Sequence, residues 1–517
     1  MSHVLAIDIG STSIKCIAVN KQGQQVSHSQ NPITTLRPEA GWVEIDPHHI
    51  WEVCKSVILE NVRKGGFDIK EIVGLGIACQ RNTFTLWRRS TGEPVINFLS
   101  WQDLRSLELC KEWNESNTFK AIRFGSKILR GITHADKFIA SSILQFTPQH
   151  AVIRLYWVFK NMPNILKLGN DNDLCFGTID TWLVWKFTNG RMHITDYSNA
   201  SSTVIFDPFT MTWSTMLCNL LGFPMSILPE IKLTSEEYCR IDENIFGVSF
   251  PIGALVADQS ASAFANRCWK KGDIKMTLGT GGFIDICQGQ ECRASLRGYY
   301  PLIGWVDKRG PNFITESNIP SMGTTIEWAM SLGLCTVIEE LSDIANSVST
   351  SNGVVFVPSL GGLPAPFEEY NTDGAFMGLN LRMNTANMVR AILEGLAFQI
   401  RCLYEIAQEE GLVVPTDASI IADGGVSKCT FLMQEVSNLI GRKIVCPLNV
   451  DTTATGAAYL AGLGLGFWKE AREIQDFWKT GSQYEPQTVS KETKQSFTKW
   501  SEAIRATLQY SSRIAKI

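Results

Sequence analysis

Apolar residues in this chain fall into two kinds of run. Short, almost continuous runs at VLAIDIG (4–10), IKCIAV (14–19), EIVGLGIA (71–78) and FPIGALVAD (250–258) predict buried strands. The stretch HHIWEVCKSVILENVRK (48–64) instead spaces its apolar residues at helical intervals, behind the start signal Asp46–Pro47. The first two strands are parted only by Ser11-Thr12-Ser13, so the chain opens as a β-hairpin and not as a βαβ unit; NKQGQQV (20–26) is a further hairpin or loop. Strands alternating with helices at this scale predict an α/β sandwich of helices on mixed sheets. A second strand–turn–strand unit follows at IKMTLG (274–279) and FIDICQG (283–289) around Thr280-Gly281-Gly282. We read the two units as a duplicated fold, one copy per half, facing across a cleft; coincidence of two glycine-rich hairpins is the competing reading. The boundary is expected near 250–272, punctuated by Pro251, Gly253 and Gly272, which divides the chain into 1–255 and 256–517. The last ~50 residues are expected to be helical and charged, on the outside of the second half.

Length and composition agree with two such units: 517 residues, 44% hydrophobic and 19% charged, are enough for two sizeable cores. Lys plus Arg number 47 against 51 Asp plus Glu, a net charge of -4, which argues against a nucleic-acid surface. No stretch reaches the ~20 apolar residues of a membrane span, so no membrane anchor is expected. The 14 cysteines are scattered singly without a CxxC pair, the pattern of reduced thiols in a cytoplasmic protein. The seven histidines lack metal-ligand spacing, and His48 and His49 read as solvated beside a helix start.

Candidate chemistry sits where strands end. Asp8 closes the first strand beside Gly10-Ser11-Thr12-Ser13. Backbone N–H and hydroxyl donors in such a turn suit phosphate oxygens, and a neighbouring carboxylate suits Mg²⁺, usually through water. Lys15 could reach the same phosphate. The bland reading is a tight hairpin and nothing more. Asp258 ends another strand, where it could simply cap the helix that begins QSASAFANRCW. Trp101 and Phe283 could be plain core, and Arg81 a surface ion pair.

Longer motifs bring in a family. GWVEIDPHHIW (41–51), GIACQRNTFTLW (76–87), FGTIDTWLVWKFTNGRMHITDYSNASSTVIFDPFTMTW (176–213) and GVVFVPSLGGLPAPF (353–367) resemble, in order, the FGGY carbohydrate kinases, and among them the glycerol kinases. The likeness runs from about residue 4 to about residue 468. WQDLRSLELCKEWNES (101–116) and PLIGW (301–305) resemble a divergent animal branch of that group. The resemblance implies two ribonuclease-H-like (actin-like) domains with ATP and Mg²⁺ in the cleft between them. It implies a small polyol substrate, glycerol, phosphorylated with Asp258 as general base. Acceptor contacts would come from Arg81, Trp101, Asp258, Gln259 and Phe283. Thr280 in LGTGG, Gly323 in SMGTTIEW and Gly425 in DGGVSK resemble nucleotide contacts of the second half, where glycine lets backbone approach a ligand closely.

The chain also departs from the glycerol-kinase pattern. Asn82 stands where those enzymes carry Glu after the pocket Arg, and Gln149 where they carry Tyr. Glu327 replaces a Gln, Cys429 replaces an Asn, and Glu368-Glu369 replaces an aromatic–acidic pair. Asn82 and Gln149 thereby become candidates for acceptor specificity. Three functions stay open at this point: a glycerol kinase, a kinase for another polyol or ketose, and a weakly active or inactive kinase fold with a regulatory role. Association of like copies, a homo-oligomer, also stays open.

Overall fold

The computed structural model describes residues 2–367, 369, 372–414, 418–449 and 451–514; Glu368, one of the departures noted above, lies outside them. The first sheet contains β1 (His3–Ile9), β2 (Ser13–Asn20), β3 (Gln25–Pro32), β4 (Ile72–Cys79), β5 (Ser235–Arg240) and β6 (Pro251–Ala257), in the order β5-β6-β4-β1-β2-β3. β6, β4 and β1 run parallel, and β2, β3 and β5 are antiparallel to their neighbours. The second sheet contains β7 (Ile274–Leu278), β8 (Gly282–Gly289), β9 (Tyr300–Asp307), β10 (Gly310–Ile319), β11 (Ile420–Asp423), β12 (Ile444–Pro447) and β13 (Thr480–Tyr484). Its order is β9-β10-β8-β7-β11-β12-β13.

The second sheet repeats the first in outline: three parallel strands, β12-β11-β7, continue into three antiparallel strands in the order β8-β10-β9, and an antiparallel edge strand, β13, matches β5. β13 is a correction to the sequence reading, which expected only helix in the last fifty residues. TGSQY lacks an apolar alternation, because as an edge strand it is exposed at four of five positions and held by backbone pairing to β12.

Helices cover the sheets: α1 (Pro47–Gly65), α2 (Asn117–Thr133), α3 (Ala151–Asn161), α4 (Asp258–Ala265), α5 (Gly323–Ser331), α6 (Thr452–Gly464) and α7 (Lys491–Ile514), with a long buried helix at Thr385–Glu409. α1 starts as its sequence requires. The Asp46 side chain accepts from the His48 amide at 2.8 Å, Pro47 fills the first turn, and Gly66 ends the helix in the left-handed region. Ile7, Ile77, Trp51 and Trp182 lie in one core, and Met276, Ile284, Leu396 and Leu432 in the other.

The linear boundary does not separate the packing cleanly. α6, nearly two hundred residues beyond β6, lies on the first sheet and against α4. Close approach there needs glycine. A Cβ at Gly76 would stand 2.3 Å from the Ala457 carbonyl, and one at Gly456 would stand 1.9 Å from that of Ala261.

Candidate functional site

Three parallel strands of the first sheet end side by side, with Ala78 of β4 flanked by Asp8 of β1 and Val256 of β6. The chain therefore delivers Asp8, the Gln80–Arg81 segment after β4, and Asp258 to one edge, where ligands of parallel α/β sheets bind. The turn after β1 is closed by a hydrogen bond from the Gly10 amide to the Ser13 carbonyl at 3.0 Å. Ser11 is tied down on both sides: its hydroxyl donates to Gln80 Oε1 at 3.0 Å and accepts from Trp101 Nε1 at 3.0 Å. Trp101 is thus placed beside the turn. Thr12 remains exposed. Lys15, directly across the hairpin from Asp8, pairs with Asp451 at 2.8 Å, at the start of α6, and so links the two halves of the chain. Burial raises the Asp8 carboxyl to about 7; the charges of Asp258 and Asp451 add to this and Lys15 opposes it.

Between the halves lies a buried charge network. Arg81 Nη2 donates to Glu316 Oε1 at 2.8 Å, its Nε stands 3.7 Å from Asp258 Oδ1, and its guanidinium lies 5.6 Å above the ring of Phe283. Glu316 also accepts from the Tyr300 hydroxyl and faces Asp285 across the β8–β10 pairing. Lys275 closes the chain, donating to Gln259 Oε1 at 2.9 Å and standing 3.4 Å from Asp285. Burial pushes Asp285 well above the carboxylate range, which Lys275 opposes and Glu316 reinforces. Burial would raise Glu316 too, but the charge and hydrogen bond of Arg81 and the Tyr300 hydroxyl outweigh it and hold Glu316 low. Burial and the facing Glu316 charge thus push the proton toward Asp285, while Arg81 draws Glu316 toward its charged form. Asp258 is raised by burial, with Arg81 and the Gln259 amide opposing. It is the first residue of α4, accepts from its neighbour's amide at 2.7 Å, and keeps 29% of its side chain exposed.

On the second sheet, the ends of β7 and β11 bring together Thr280, Gly323 and the Gly424–Gly425 pair. The Gly323 amide donates to the Gly279 carbonyl at 2.9 Å, and the Thr324 amide to that of Thr280 at 3.2 Å. A Cβ at Gly323 would stand 2.5 Å from the Gly279 oxygen, and one at Gly424 (φ +90°) 2.5 Å from that of Leu278, whereas Gly425 faces open space. Asp423, at the end of β11, accepts from Ser262, Asn266 and Thr452 and joins α4, α6 and the second sheet.

The departures from the glycerol-kinase pattern separate by location. Asn82 takes a left-handed backbone (φ 63°), and its Oδ1 accepts from the Ala151 amide at 3.2 Å, at the start of α3. Gln149 is exposed, and its carbonyl accepts from buried Arg154. Glu327 is exposed on α5, while Cys429 is fully buried with its thiol 3.4 Å from Ser342. All 14 cysteines are free. Sequence reasoning missed Gln80, Lys275, Asp285, Tyr300, Glu316 and Asp451. For Lys275 and Asp285 a signal was present: a charge between apolar neighbours inside a strand, in IKMTL and GFIDICQG.

Two like sheets, each presenting the carboxyl ends of parallel strands to the other, make a two-domain, actin-like α/β fold. Comparison with known proteins agrees. The profile of the FGGY family of carbohydrate kinases matches with its N-terminal domain over residues 3–265 and its C-terminal domain over 274–465. The chain is 42% identical over 507 residues to glycerol kinase 5 of Bos taurus, covering 98% of this chain and 96% of the relative. It is 34% identical over 514 residues to the glycerol kinase of Halothermothrix orenii, covering 98% and 99%. Its structure superposes on the crystal structure of Plasmodium falciparum glycerol kinase with ADP at a TM-score of 0.88, with 26% identity and 98% of both chains covered. The chain belongs to the FGGY family of carbohydrate kinases, and its reaction class is phosphoryl transfer to an alcohol group.

Proposed function

We propose that the protein transfers the γ-phosphoryl group of ATP to glycerol, giving sn-glycerol 3-phosphate and ADP, and does so in the cytoplasm. The observation that supports this most is the Asp258–Arg81–Phe283 arrangement. A partly open carboxylate at a strand end stands 3.7 Å from a guanidinium lying over an aromatic ring. A hydroxyl held by Arg81 and Gln259 against Phe283 can give its proton to Asp258 as it attacks. The raised carboxyl of Asp258 suits a base, which must both ionise and hold a proton. Ser11, Thr12, Ser13 and Lys15 offer donors to the phosphates, and Thr280, Gly323 and Gly425 flank the nucleotide from the second half. Asp8 fits Mg²⁺: it is a poorly compensated carboxylate whose one facing cation, Lys15, is already paired with Asp451. Held through Asp8, such an ion would supply charge neutralisation to the transferring phosphate. The residues divide between 1–255 and 256–517, so we propose that these two units close on their ligands and exclude water.

A larger polyol or ketose is the second reading. With the Asn82 oxygen committed to α3, the acceptor site lacks a carboxylate contact at that position. Retention of both Asp8 and Asp258 opposes the third reading, an inactive fold.

The test is Asp258→Asn with ADP release measured over a panel of polyols. Loss of a general base lowers turnover by ~10²–10⁴-fold, while Mg-ATP binding is expected to persist. A variant retaining more than half of the wild-type rate would reduce Asp258 to a helix-start residue. Wild-type turnover of a longer polyol but not of glycerol would select the second reading.

A further inference from the structure

The outward face of α2 is apolar where a solvated helix would be charged. Phe124, Ile128 and Ile132, spaced four residues apart, are 67%, 49% and 71% exposed, and Leu129 beside them is 42% exposed. Phe119 and Ser126, on the opposite side, are buried and hold the helix to the first half of the chain. The helix carries Lys120, Arg123, Lys127 and Arg130 and no acidic residue, although the whole chain has a net charge of -4. Arg123 is used internally, on the carbonyls of Asn114 and Leu144. Lys120 and Lys127 are exposed beside the apolar stripe and form no ion pair among the described residues. Of the three acids on the preceding helix, Leu107–Glu115, Glu108 pairs with Lys111, Glu112 with Lys160, and Glu115 is exposed without an ion pair among the described residues.

We propose that α2 seats the protein on an anionic lipid surface, with Phe124, Ile128 and Ile132 entering the acyl boundary and Lys120 and Lys127 lying among acidic headgroups. A cationic helix with a one-sided aromatic and aliphatic face is the form that lies in a membrane interface. Two other occupants fit less well. A second copy related by a two-fold axis would set the same cationic face against itself. A protein that wraps a basic helix needs all of its sides, and here Phe119 and Ser126 are taken. No helix among the described residues is long and apolar enough to cross a membrane, so the attachment is peripheral.

Co-sedimentation of the full chain with phosphatidylcholine vesicles, with and without phosphatidylserine, tests this. Binding is expected only with phosphatidylserine, and it should weaken with salt. Phe124→Ser with Ile132→Ser should abolish it. Lys120→Gln with Lys127→Gln, which leaves the apolar face intact, should weaken it about five-fold per lysine. Each change is at an exposed side chain, so melting temperature and ADP release should stay at wild-type values. Absence of binding to phosphatidylserine vesicles, equal binding to neutral ones, or wild-type binding by both double variants would overturn the proposal. A wild-type dimer that the serine variant breaks, without vesicle binding, would assign the face to a second copy instead.

Discussion

Replacing Glu316 by Gln and, separately, Asp285 by Asn should have very different consequences, although the two carboxyls face each other in one buried site. Arg81 and the Tyr300 hydroxyl hold Glu316 toward its charged form. It accepts from Arg81 at 2.8 Å and from Tyr300, and only 1% of its side chain is exposed. Removing one partner of a buried ion pair costs ~3–5 kcal/mol when the other charge is stranded. Here Arg81 keeps Asp258 at 3.7 Å, and a Gln oxygen still accepts a hydrogen bond, so about 2–3 kcal/mol is expected. In a unit of this size 1 kcal/mol moves the melting temperature by about 2–4 °C, which gives a fall of roughly 4–12 °C. With the proton pushed toward Asp285, an Asn there still donates toward Glu316, and its oxygen still accepts from Lys275, which Gln259 also holds; the loss should be under ~1 kcal/mol, less than about 4 °C. Function follows the same asymmetry. Glu316 raises Asp258, so Glu316→Gln lowers the Asp258 carboxyl and carries the acid limb of the kcat/KM profile to lower pH, whereas Asp285→Asn leaves that limb in place. Thermal melts and ADP-release profiles from pH 5 to 9 read both effects. Equal damage from the two substitutions would show that the proton is not on Asp285, and an unmoved acid limb in Glu316→Gln would remove Glu316 from the control of Asp258.

Asp8 binds its proton more tightly in the folded chain, at about 7 against 3.8, so its contribution to stability is fully present below pH 3.8 and is lost as pH rises through 7. The full shift corresponds to ~4 kcal/mol, which partial exposure reduces to about 1–2. Asp8→Asn should therefore melt higher than wild type at pH 8, converge with it near pH 4, and lose turnover; an equal or lower melting point at pH 8 would refute this. Gly424→Ala should cost more than ~1 kcal/mol, because φ is +90° and the new methyl meets the Leu278 carbonyl. Gly425→Ala faces open space and should leave the melt unchanged while raising the KM for ATP; an unchanged KM would take Gly425 out of the nucleotide site. Asn82→Glu with Gln149→Tyr should lower the glycerol KM several-fold with little change in kcat, at a stability cost of about 1–2 kcal/mol from the left-handed backbone at 82 and the lost bond to Ala151. A KM that does not move would show that these side chains do not line the acceptor site.

The chain's own pattern determined the local pieces. A run of apolar residues closed by Asp8 and a hydroxyl-rich turn reads as a hairpin, Asp46–Pro47 as a helix start, and the strand ending at Asp258 is legible because both of its faces are buried. These features depend on backbone geometry and on contacts a few residues apart, so periodicity reveals them. Which distant pieces meet was decided by packing. Glycines 76 and 456 admit α6 between the first sheet and α4, and that placement brings Asp451 to Lys15. Pairing of β8 with β10 sets Asp285 opposite Glu316, and docking of the two halves sets Glu316 on Arg81, 235 residues earlier. Asn82 could be read as an acceptor ligand from its place after Arg81; only the tertiary structure shows its oxygen turned to the start of α3. A single residue's type limits what it can bond, but in a low-dielectric cleft its charge state and partner are set by which neighbours the fold brings within a few ångströms, and no spacing along the chain encodes that.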